Sequence, residues 1–349
     1  MSISVCVITK DESTKLKRCM ESLKGYGFEI VVVDTGSKDD TDKVIEQYAD
    51  KIGKFQWCDD FSKARNYSIS LASNDIILVL DSDEWIESCD IKAVEELINK
   101  NPKIVGRIER INDIVSTQTH EIGHERISRI FDRRYYEYKG RIHEQVSSKQ
   151  LGELIYEDVT VVIGHSGYNG TDEDKRRKAG RNIKLLLLDL QEHGDDPYIL
   201  YQLGKGYYMQ KEYALAAKYF EQGFAFDLEP KLEYVQDMVE TYGYTLLNLK
   251  RYKEMLFLKE IYHEFALSAD YVFLTGLAYM YNEMYNKAIS EFEKATNYKI
   301  SKIEGCNSFK AFYNAGVICE CLGKRDQARE YYKKCGNYEP AMKGLSRLK

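Results

Sequence analysis

The segment Ile76-Ile77-Leu78-Val79-Leu80-Asp81-Ser82-Asp83-Glu84-Trp85 decides the fold of the first half of the chain. Its run of apolar residues predicts a strand buried on both faces, as in sheets that are covered by helices on both sides. Acidic residues follow where this strand ends. Because ligands of open α/β sheets bind at the carboxyl ends of the strands, Asp81 and Asp83 are candidate site residues.

Short apolar runs recur on both sides of this segment, up to about Ser166, and amphipathic stretches separate them. This alternation predicts an α/β unit with mainly parallel strands. Later runs are shorter and more polar, so we expect their strands at one edge of the sheet. The predicted strands are Ile3–Thr9, Glu29–Val33, Lys54–Trp57, Ile76–Leu80, Ile104–Ile111, Arg126–Phe131, Arg141–Val146 and Val159–Gly164, and the predicted helices are Ser13–Lys24, Asp39–Asp50, Ser62–Ala72 and Asp90–Asn99.

Beyond Gly167 the strand patterns stop, and Asp172–Gln191 predicts one amphipathic helix. Small and aromatic residues then recur with a common spacing, which resembles the tetratricopeptide pattern, in which small residues let paired helices pack closely. The alternative interpretation is that these residues form the ordinary core of a helical bundle. The recurring residues are Leu203, Gly204, Tyr207, Ala216 and Phe220, then Gly276, Tyr279, Ala288, Phe292 and Ala295, then Gly316, Ala328, Tyr332 and Pro340, with a degenerate unit around Gly243 and Tyr252.

Composition narrows the class of protein. A chain of 349 residues predicts two or three domains. Its 50 basic and 56 acidic residues give a net charge of −6 without a basic arm, so we expect no nucleic-acid partner. The eight cysteines include no Cys-x-x-Cys pair, which argues against disulfides and structural zinc and favours a reducing cytoplasm. The sequence begins with a strand pattern rather than a signal peptide and has no apolar run of membrane-spanning length, so we expect no integral membrane association.

Polar residues also follow the first two predicted strands. The first strand runs into Thr9-Lys10-Asp11-Glu12, and the second ends in Asp34-Thr35-Gly36-Ser37-Lys38-Asp39-Asp40-Thr41. Asp34, at a carboxyl end, can accept hydrogen bonds from a base or a ribose. Helix capping accounts for Ser37, Asp39 and Thr41 without any function.

The third predicted helix opens with Asp59-Asp60-Phe61-Ser62-Lys63-Ala64-Arg65-Asn66. A Ser cap and Arg65 in the first turn combine a helix N-terminus with a cation, which favours an anion. Four arginines later in the sequence could also contact phosphates, but we expect them to form a solvated strand face with neighbouring acidic residues. These are Arg126, Arg129, Arg133 and Arg134.

Four segments, in this order, resemble family-two glycosyltransferases with the GT-A fold: Thr9–Glu12, Asp34–Thr41, Phe61–Asn66 and Asp81–Glu84. The resemblance covers about Ser2 to Ser166. It implies a GT-A (Rossmann-like) mixed sheet with helices on both faces as a catalytic domain over residues 1–170, followed by a connecting helix over 171–193 and all-α repeats over 194–349. A catalytic half joined to such repeats is similar to peptide S-glycosyltransferases of the SunS type and to some flagellin glycosyltransferases.

The resemblance implies a nucleotide-diphosphate sugar donor, most often a UDP-sugar, and inversion at the anomeric carbon. It also implies a divalent cation, Mn²⁺ or Mg²⁺, bound beside the diphosphate. Carried over residue by residue, Thr9 (through its backbone), Glu12, Asp34 and Arg65 would hold the nucleotide, Asp81 would contact ribose or a metal-bound water, and Asp83 would ligate the metal.

The catalytic base of the family is a carboxylate beyond the Asp-x-Asp motif, usually in a Glu-Asp pair that this sequence lacks there. We expect Glu144 to take the acceptor's proton instead. If Arg141–Val146 is a regular strand, the side chain of His143 points away from that of Glu144. The alternative interpretation is that His143 is merely a packed or exposed histidine. His165, at the end of the last predicted strand, is preferred to His143 as a further metal ligand.

We therefore expect an inverting, metal-dependent hexosyl- or N-acetylhexosaminyl-transferase that acts on Ser, Thr or Cys of a protein or peptide, such as flagellin or a secreted peptide. The repeats favour such acceptors because they offer an extended groove, although they could equally build a homodimer. One alternative is a cell-envelope saccharide or lipid-linked acceptor. Another is a repeat scaffold with a decayed transferase domain. A nucleotidyltransferase is disfavoured because Thr9–Thr14 contains no glycine.

Overall fold

The structure, a computed structural model, describes residues 3–115, 120–150, 154–165 and 172–348. It divides into two compact units between Asp189 and Leu190, while the predicted domain boundary at residues 170 and 171 lies outside the described residues. Within those residues the first unit has ten strands. They are β1 (Ile3–Thr9), β2 (Glu29–Asp34), β3 (Lys51–Lys54), β4 (Ile76–Asp81), β5 (Glu84–Cys89), β6 (Ile104–Val115), β7 (His120–Asp132), β8 (Tyr136–Lys139), β9 (Gln145–Ser148) and β10 (Ile155–His165).

Eight of these strands form one mixed sheet in the order β3-β2-β1-β4-β7-β6-β10-β5. The first four in this order are parallel to one another, and β7 joins β4 in the antiparallel direction. The later strands therefore extend the sheet on one side, beyond β4, as their polar character indicated. The predicted α/β class, with a mixed sheet, is confirmed.

Both faces of β4 are buried. Leu78 and Leu80 pack into a core with Leu16 of the first helix, whereas Ile77 and Val79 pack on the opposite face with residues that include Ile69. Because successive side chains of a strand point to opposite faces, the unbroken apolar run is required by helices on both sides. The helices of this unit are α1 (Ser13–Ser22), α2 (Thr41–Tyr48), α3 (Phe61–Leu71), α4 (Ile91–Lys100) and α5 (Asp172–His193) up to Asp189.

Three strand predictions differ from the structure. The third strand is Lys51–Lys54 rather than Lys54–Trp57, because Phe55 and Trp57 pack in the cluster that includes Ala64 of α3 and so carry an apolar signal without being part of the strand. Strand β5 was not predicted. The predicted strand Arg141–Val146 is wrong, since β9 begins only at Gln145 and pairs with β8 in a separate two-stranded ribbon.

The second unit is helical throughout its described residues. Its helices α6–α7, α11–α12 and α13–α14 pack in sequential pairs. Within the described ranges, each helix is too short or too polar to span a lipid bilayer. The helices are α6 (Pro197–Met209), α7 (Tyr213–Gly223), α8 (Glu233–Asn248), α9 (Phe257–Glu260), α10 (Tyr262–Phe265), α11 (Ala269–Tyr281), α12 (Tyr285–Ala295), α13 (Phe309–Cys321), α14 (Arg325–Lys334) and α15 (Glu339–Arg347), with a 3₁₀ turn at Glu254–Leu256.

The repeated glycines of this unit have one packing role. A Cβ atom on Gly204, Gly276 or Gly316 would lie 2.5, 2.7 or 2.6 Å from the ring of an aromatic residue sixteen positions later, on the partner helix of the pair. Those rings belong to Phe220, Phe292 and Tyr332, which are buried. The glycines therefore let each helix rest directly on an aromatic ring, as the repeat pattern predicted.

The degenerate unit differs in its second helix. A Cβ on Gly243 would meet Leu274 of α11, 2.6 Å away, instead of an aromatic ring of its own pair. The segment that would form the partner helix is broken into the 3₁₀ turn, α9 and α10. The irregular spacing in the sequence thus corresponds to an interrupted helix.

Candidate functional site

Three acidic residues meet at one edge of the sheet. Asp34 ends β2, Asp81 ends β4, and Glu12 follows β1, which lies between those two strands. The register pairs Thr9 with Asp34 and Ile8 with Asp81, so the three strands end at the same level. The structure therefore brings the predicted strand-end residues together.

The carboxylate of Asp34 closes a turn. Its Oδ1 accepts hydrogen bonds from the backbone N (3.0 Å) and the hydroxyl (2.6 Å) of Ser37, whose Oγ also accepts from Asp11 N at 2.9 Å. Ser37 thus fixes this turn instead of capping the next helix. The carbonyl of Thr9 accepts from Thr35 N and Thr35 Oγ1, both at 3.0 Å, so this backbone oxygen already serves the fold.

Asp39 performs the capping expected of this segment, and it does so for two helices. Its carboxylate accepts from Thr41 N at 3.0 Å, at the start of α2, and from Ser13 N at 3.1 Å, at the start of α1. The hydrogen bond from the Thr41 hydroxyl is the largest cause that lowers the pKa of Asp39 to about 2. Asp39 is therefore an anionic anchor between the loops that follow β1 and β2.

Glu12 holds the acidic segment that follows β4. Its Oε2 accepts from the hydroxyl of Ser82, and its Oε1 accepts from Lys15 Nζ at 2.8 Å. The same ammonium lies 3.9 Å from Asp83. The predicted nucleotide ligand Glu12 thus also orients the Asp-x-Asp motif.

Asp81 is the counter-ion of two buried arginines. Its Oδ1 accepts from Arg65 Nη2 and its Oδ2 from Arg129 Nη2, each at 2.6 Å. Burial disfavours the carboxylate, but the charges of Arg129 and Arg65 outweigh it and hold the pKa of Asp81 well below its ordinary value. Each oxygen already accepts a charge-assisted hydrogen bond, so Asp81 is a structural anion. Because 31% of its side chain is exposed, its contact with ribose or a metal-bound water stays a prediction.

Arg129 was expected on a solvated face, and this expectation is wrong. Only 9% of its side chain is exposed, and it also donates to Glu84 Oε1 at 3.2 Å. The ladder between β6 and β7 pairs Gly106 with Ile130 and Arg107 with Ser128, so Arg129 is the extra residue of a β-bulge. A bulge redirects a side chain out of strict alternation, which is why the sequence pattern did not reveal it.

Glu84 is a second functional candidate that sequence reasoning missed. Its side chain is fully buried, and its Oε2 accepts from Asp81 N at 2.8 Å. Its Oε1 accepts from Arg110 Nη1 at 3.1 Å as well as from Arg129. A buried carboxylate needs such partners, so Glu84 stabilises the turn that carries the Asp-x-Asp motif.

Glu144 reaches this network through Arg65. Its Oε1 accepts from Arg65 Nε, and 10% of its side chain is exposed. It lies in a loop in which His143 has a left-handed φ of 52°, so the strand alternation expected for His143 and Glu144 does not apply. The loop is fixed by Phe61 N, which donates to Arg141 O at 2.8 Å.

The neighbour of Arg65 in the sequence anchors the ribbon that leads to this loop. Asn66 Oδ1 accepts from Tyr138 N at 2.9 Å, and Asn66 Nδ2 donates to Tyr138 O at 2.8 Å. One turn of α3 therefore binds the carboxylates through Arg65 and positions β8 through Asn66. This accounts for the Arg-Asn pair in the motif.

The predicted metal ligands face each other. His165 Nε2 lies 3.7 Å from Asp83 Oδ2, and His165 Nδ1 lies 2.8 Å from Asn112 Oδ1. Burial, and then the charge of Arg110, lower the pKa of His165, which favours the neutral ring that metals bind. Burial, and then Asp81, raise the pKa of Asp83.

These two side chains fit a cation that is shared with a ligand. Across the described ranges, no group of three or more His, Cys, Asp or Glu residues is placed to hold a metal ion by itself. Asp83 offers a hard oxygen and His165 a nitrogen, a donor set suited to Mn²⁺ and, with further oxygens, to Mg²⁺. Phosphate and water oxygens would have to complete the coordination.

Unsatisfied polar atoms mark the same region. Thr9 Oγ1, Arg65 Nη1 and Tyr138 Oη are buried and have no hydrogen-bond partner in the described part of the chain. Arg65 Cζ lies 5.5 Å from the centre of the Tyr138 ring. Buried polar atoms without partners are rare in folded proteins, and they favour a site that receives a polar ligand or ordered water.

This combination of fold and strand-end residues agrees with the comparison to known families. Residues 4–152 match the family model described as Glycosyl transferase family 2. The first half of the chain is therefore a glycosyltransferase family 2 domain.

Individual relatives extend the similarity. A TPR repeat-containing protein of Synechococcus elongatus is 30% identical over 229 residues, which are 63% of this chain and 56% of that protein. The prophage-derived glycosyltransferase SunS of Bacillus subtilis is 28% identical over 214 residues, which are 58% of this chain and 49% of that protein. The chain thus spans about half the length of these relatives. A solved structure of YrrB, titled a TPR protein with an unusual peptide-binding site, aligns with 50% of this chain and 84% of its own at 21% identity and a TM-score of 0.42.

Proposed function

We propose that this chain is an inverting, metal-dependent glycosyltransferase that moves a sugar from a nucleotide diphosphate donor, a UDP-sugar, to Ser, Thr or Cys of a protein or peptide. The proposal depends above all on one observation. Asp83 and His165 face each other over 3.7 Å at the same edge where Glu12 and Asp34 follow their strands. The similarity to the glycosyltransferase SunS supports sugar transfer. The peptide acceptor is what the family resemblance of the sequence implies.

Donor binding would use the strand-end residues. Asp34 Oδ1 is engaged by Ser37, so Oδ2 is the atom we assign to the base or the ribose. Asp83 and His165 would hold Mn²⁺ or Mg²⁺, which, when bound, supplies positive charge beside the diphosphate. Arg65 holds Glu144 and Asp81 through its Nε and Nη2, and its Nη1, which has no partner among the described residues, is the atom we assign to the nucleotide.

Glu144 is the residue that we assign as catalytic base. Arg65 holds its Oε1, so Oε2 would take the proton from the acceptor hydroxyl or thiol. The acceptor oxygen or sulfur then forms a bond to the anomeric carbon while the bond from that carbon to the diphosphate oxygen breaks. The nucleoside diphosphate leaves with the electron pair. Attack opposite the leaving group gives inversion.

The compartment we propose is the reducing cytoplasm. All eight cysteines are free thiols. Free thiols persist where glutathione and thioredoxin keep them reduced.

The test measures sugar transfer by intact mass. The full chain is incubated with a panel of UDP-sugars, Mn²⁺ and candidate acceptor proteins, and we expect an added hexose or N-acetylhexosamine mass on one of them. Asp83→Ala should abolish this product. Asp75→Ala is the matched control. Asp75 lies just before the amino end of β4, whereas Asp83 lies just after its carboxyl end, and Asp75 pairs with Arg133 and Arg134. Equal activity of the two variants would contradict the proposal.

A further inference from the structure

A hydrogen-bonded row lies behind His165. Its members come from three neighbouring strands: His165 pairs directly with Asn112 across β10 and β6, and Arg110 pairs directly with Glu125 across β6 and β7. Asn112 and Arg110 are two residues apart on β6, so both side chains stand on the same face of the sheet. The row therefore has its geometry set by the strand register.

The chemistry of this row selects one orientation of the Asn112 amide. Asn112 Nδ2 donates to Glu125 Oε1, and a carboxylate oxygen can only accept unless it is protonated. The amide oxygen must therefore face His165, whose Nδ1 is 2.8 Å away. Because Oδ1 is an acceptor, Nδ1 is the ring nitrogen that carries the proton.

Glu125 is itself fixed in place. Its Oε1 accepts from Arg110 Nε at 2.9 Å and from Arg110 Nη2 at 2.8 Å. Burial opposes ionisation, but the charge of Arg110 and the hydrogen bond from Asn112 outweigh it and lower the pKa of Glu125. Glu125 thus remains an acceptor for Asn112, and Arg110 in turn donates to the buried Glu84 beneath the Asp-x-Asp turn.

We propose that Asn112 and Glu125 are positioning residues that hold His165 in the Nδ1–H tautomer and turn Nε2 toward Asp83. The purpose of this arrangement, to present Nε2 as a ligand for the divalent cation, rests on the proposed function. The tautomer and the orientation of the ring do not. Such partners of a metal-binding histidine fix its tautomer and orientation. Neither residue touches the donor in this assignment.

The first experiment reads the tautomer directly in the metal-free full chain. The protein is labelled with ¹⁵N-histidine, and the ring signals of His165 are assigned by their loss in His165→Ala. We expect the wild type to be protonated at Nδ1 and Asn112→Leu to gain the other tautomer. Glu125→Leu, which removes the acceptor of Asn112 Nδ2, should shift the pattern in the same direction, whereas Glu125→Gln should keep the wild-type pattern, because its amide oxygen still accepts from Asn112. Protonation at Nε2 in the wild type, or no change in Asn112→Leu, would overturn the inference.

The second experiment measures Mn²⁺ binding by electron paramagnetic resonance with UDP present. Asn112→Leu should weaken binding by about 10- to 100-fold, the usual effect of losing such a partner. Glu109→Gln should leave it unchanged, since Glu109 on the same strand contacts His124 and Arg126 instead. Melting temperatures of the variants show whether they fold.

The two experiments separate the inference from the function it serves. If His165→Ala loses Mn²⁺ and a folded Asn112→Leu does not, the positioning role is wrong and the metal site stands. If the wild type binds no Mn²⁺ with UDP, the proposed metal site is wrong, and the tautomer measurement decides the role of Asn112 and Glu125 on its own.

Discussion

Arg65 Nη2 donates to Asp81 Oδ1 over 2.6 Å, which joins the first turns of α3 to the end of β4. The same guanidinium donates from Nε to Glu144. One arginine therefore sets the distance between the acidic turn and the candidate base. The side chains of Arg65 and Glu144 are 6% and 10% exposed, whereas that of Asp81 is 31% exposed.

Removing this cation should destabilise the first unit. Arg65→Met leaves Asp81 facing only Arg129 and leaves Glu144 without its partner. Breaking a buried ion pair from one side costs about 3–5 kcal/mol, and we expect a loss of about 3 kcal/mol because Asp81 is partly exposed. Urea unfolding would measure it.

The control for this change is Arg126→Met. Arg126 is 39% exposed and lies 3.6 Å from Glu109 and 3.9 Å from Asp158. Surface pairs contribute below about 1 kcal/mol. Equal losses in the two variants would mean that the Arg65 bridge has no special role in stability.

Glu144→Gln should separate catalysis from folding. Glutamine keeps an oxygen that accepts from Arg65, and Asp81 still pairs with the Arg65 charge, so the melting temperature should fall less than in Arg65→Met. A base that cannot take a proton lowers kcat by about 10²- to 10⁴-fold for a hydroxyl acceptor. A thiol acceptor should show a smaller loss, because thiolate forms near neutral pH. Steady-state kinetics with the identified acceptor measures it.

Glu137→Gln serves as the comparison for Glu144→Gln. Glu137 lies on β8, 3.7 Å from Lys139, and is 36% exposed. Its kcat should match the wild type. Full activity in Glu144→Gln with a hydroxyl acceptor would remove Glu144 from the mechanism.

Ionised Glu29 should contribute to the free energy of unfolding, and this contribution should be lost in acid. Its carboxylate accepts from the Ser4 hydroxyl and from Ser73 N, and Lys51 lies 3.5 Å away. Burial opposes ionisation, but these hydrogen bonds, Ser4 first, lower its pKa from 4.5 to about 2. A carboxyl group whose pKa is lower in the folded state stabilises the fold at pH values above its ordinary pKa. This stabilisation is lost as the pH falls from about 4.5 to about 2.

The expected size of this effect is about 3 kcal/mol, at 1.36 kcal/mol per pKa unit. Glu29→Gln should flatten the dependence of the unfolding free energy on pH between about 5 and 2. Glu46→Gln, on the exposed face of α2, should leave the dependence as it is in the wild type. A wild-type slope in Glu29→Gln would refute the assignment.

Gly276→Ala tests the helical pairing in the second unit. The new methyl would lie 2.7 Å from the Phe292 ring, and overpacking of this kind costs about 1–3 kcal/mol. Phe292→Leu in the Gly276→Ala background should recover part of the loss, because the smaller side chain gives room. Thermal unfolding compares both with Ser290→Ala on the exposed face of α12, which should behave like the wild type.

The local sequence pattern was sufficient to predict much of this structure. The apolar run before Asp81 requires a strand buried on both faces, and the spacing of Gly276 and Phe292 requires a close helix pair, because both signals are periodic along the chain. The placement of Glu12, Asp34 and Asp81 at one edge followed from parallel strands with polar ends. These relations depend on sequence order and periodicity alone.

The partners of these residues were decided only by the tertiary structure. Arg129 enters the site because a bulge breaks the alternation of β7, and Glu144 reaches Arg65 from a loop that the sequence pattern predicted as a strand. Asn112 meets His165 through a register between strands far apart in the chain. Registers, bulges and the direction of a loop depend on long-range packing and charge pairing, which leave no period in the sequence.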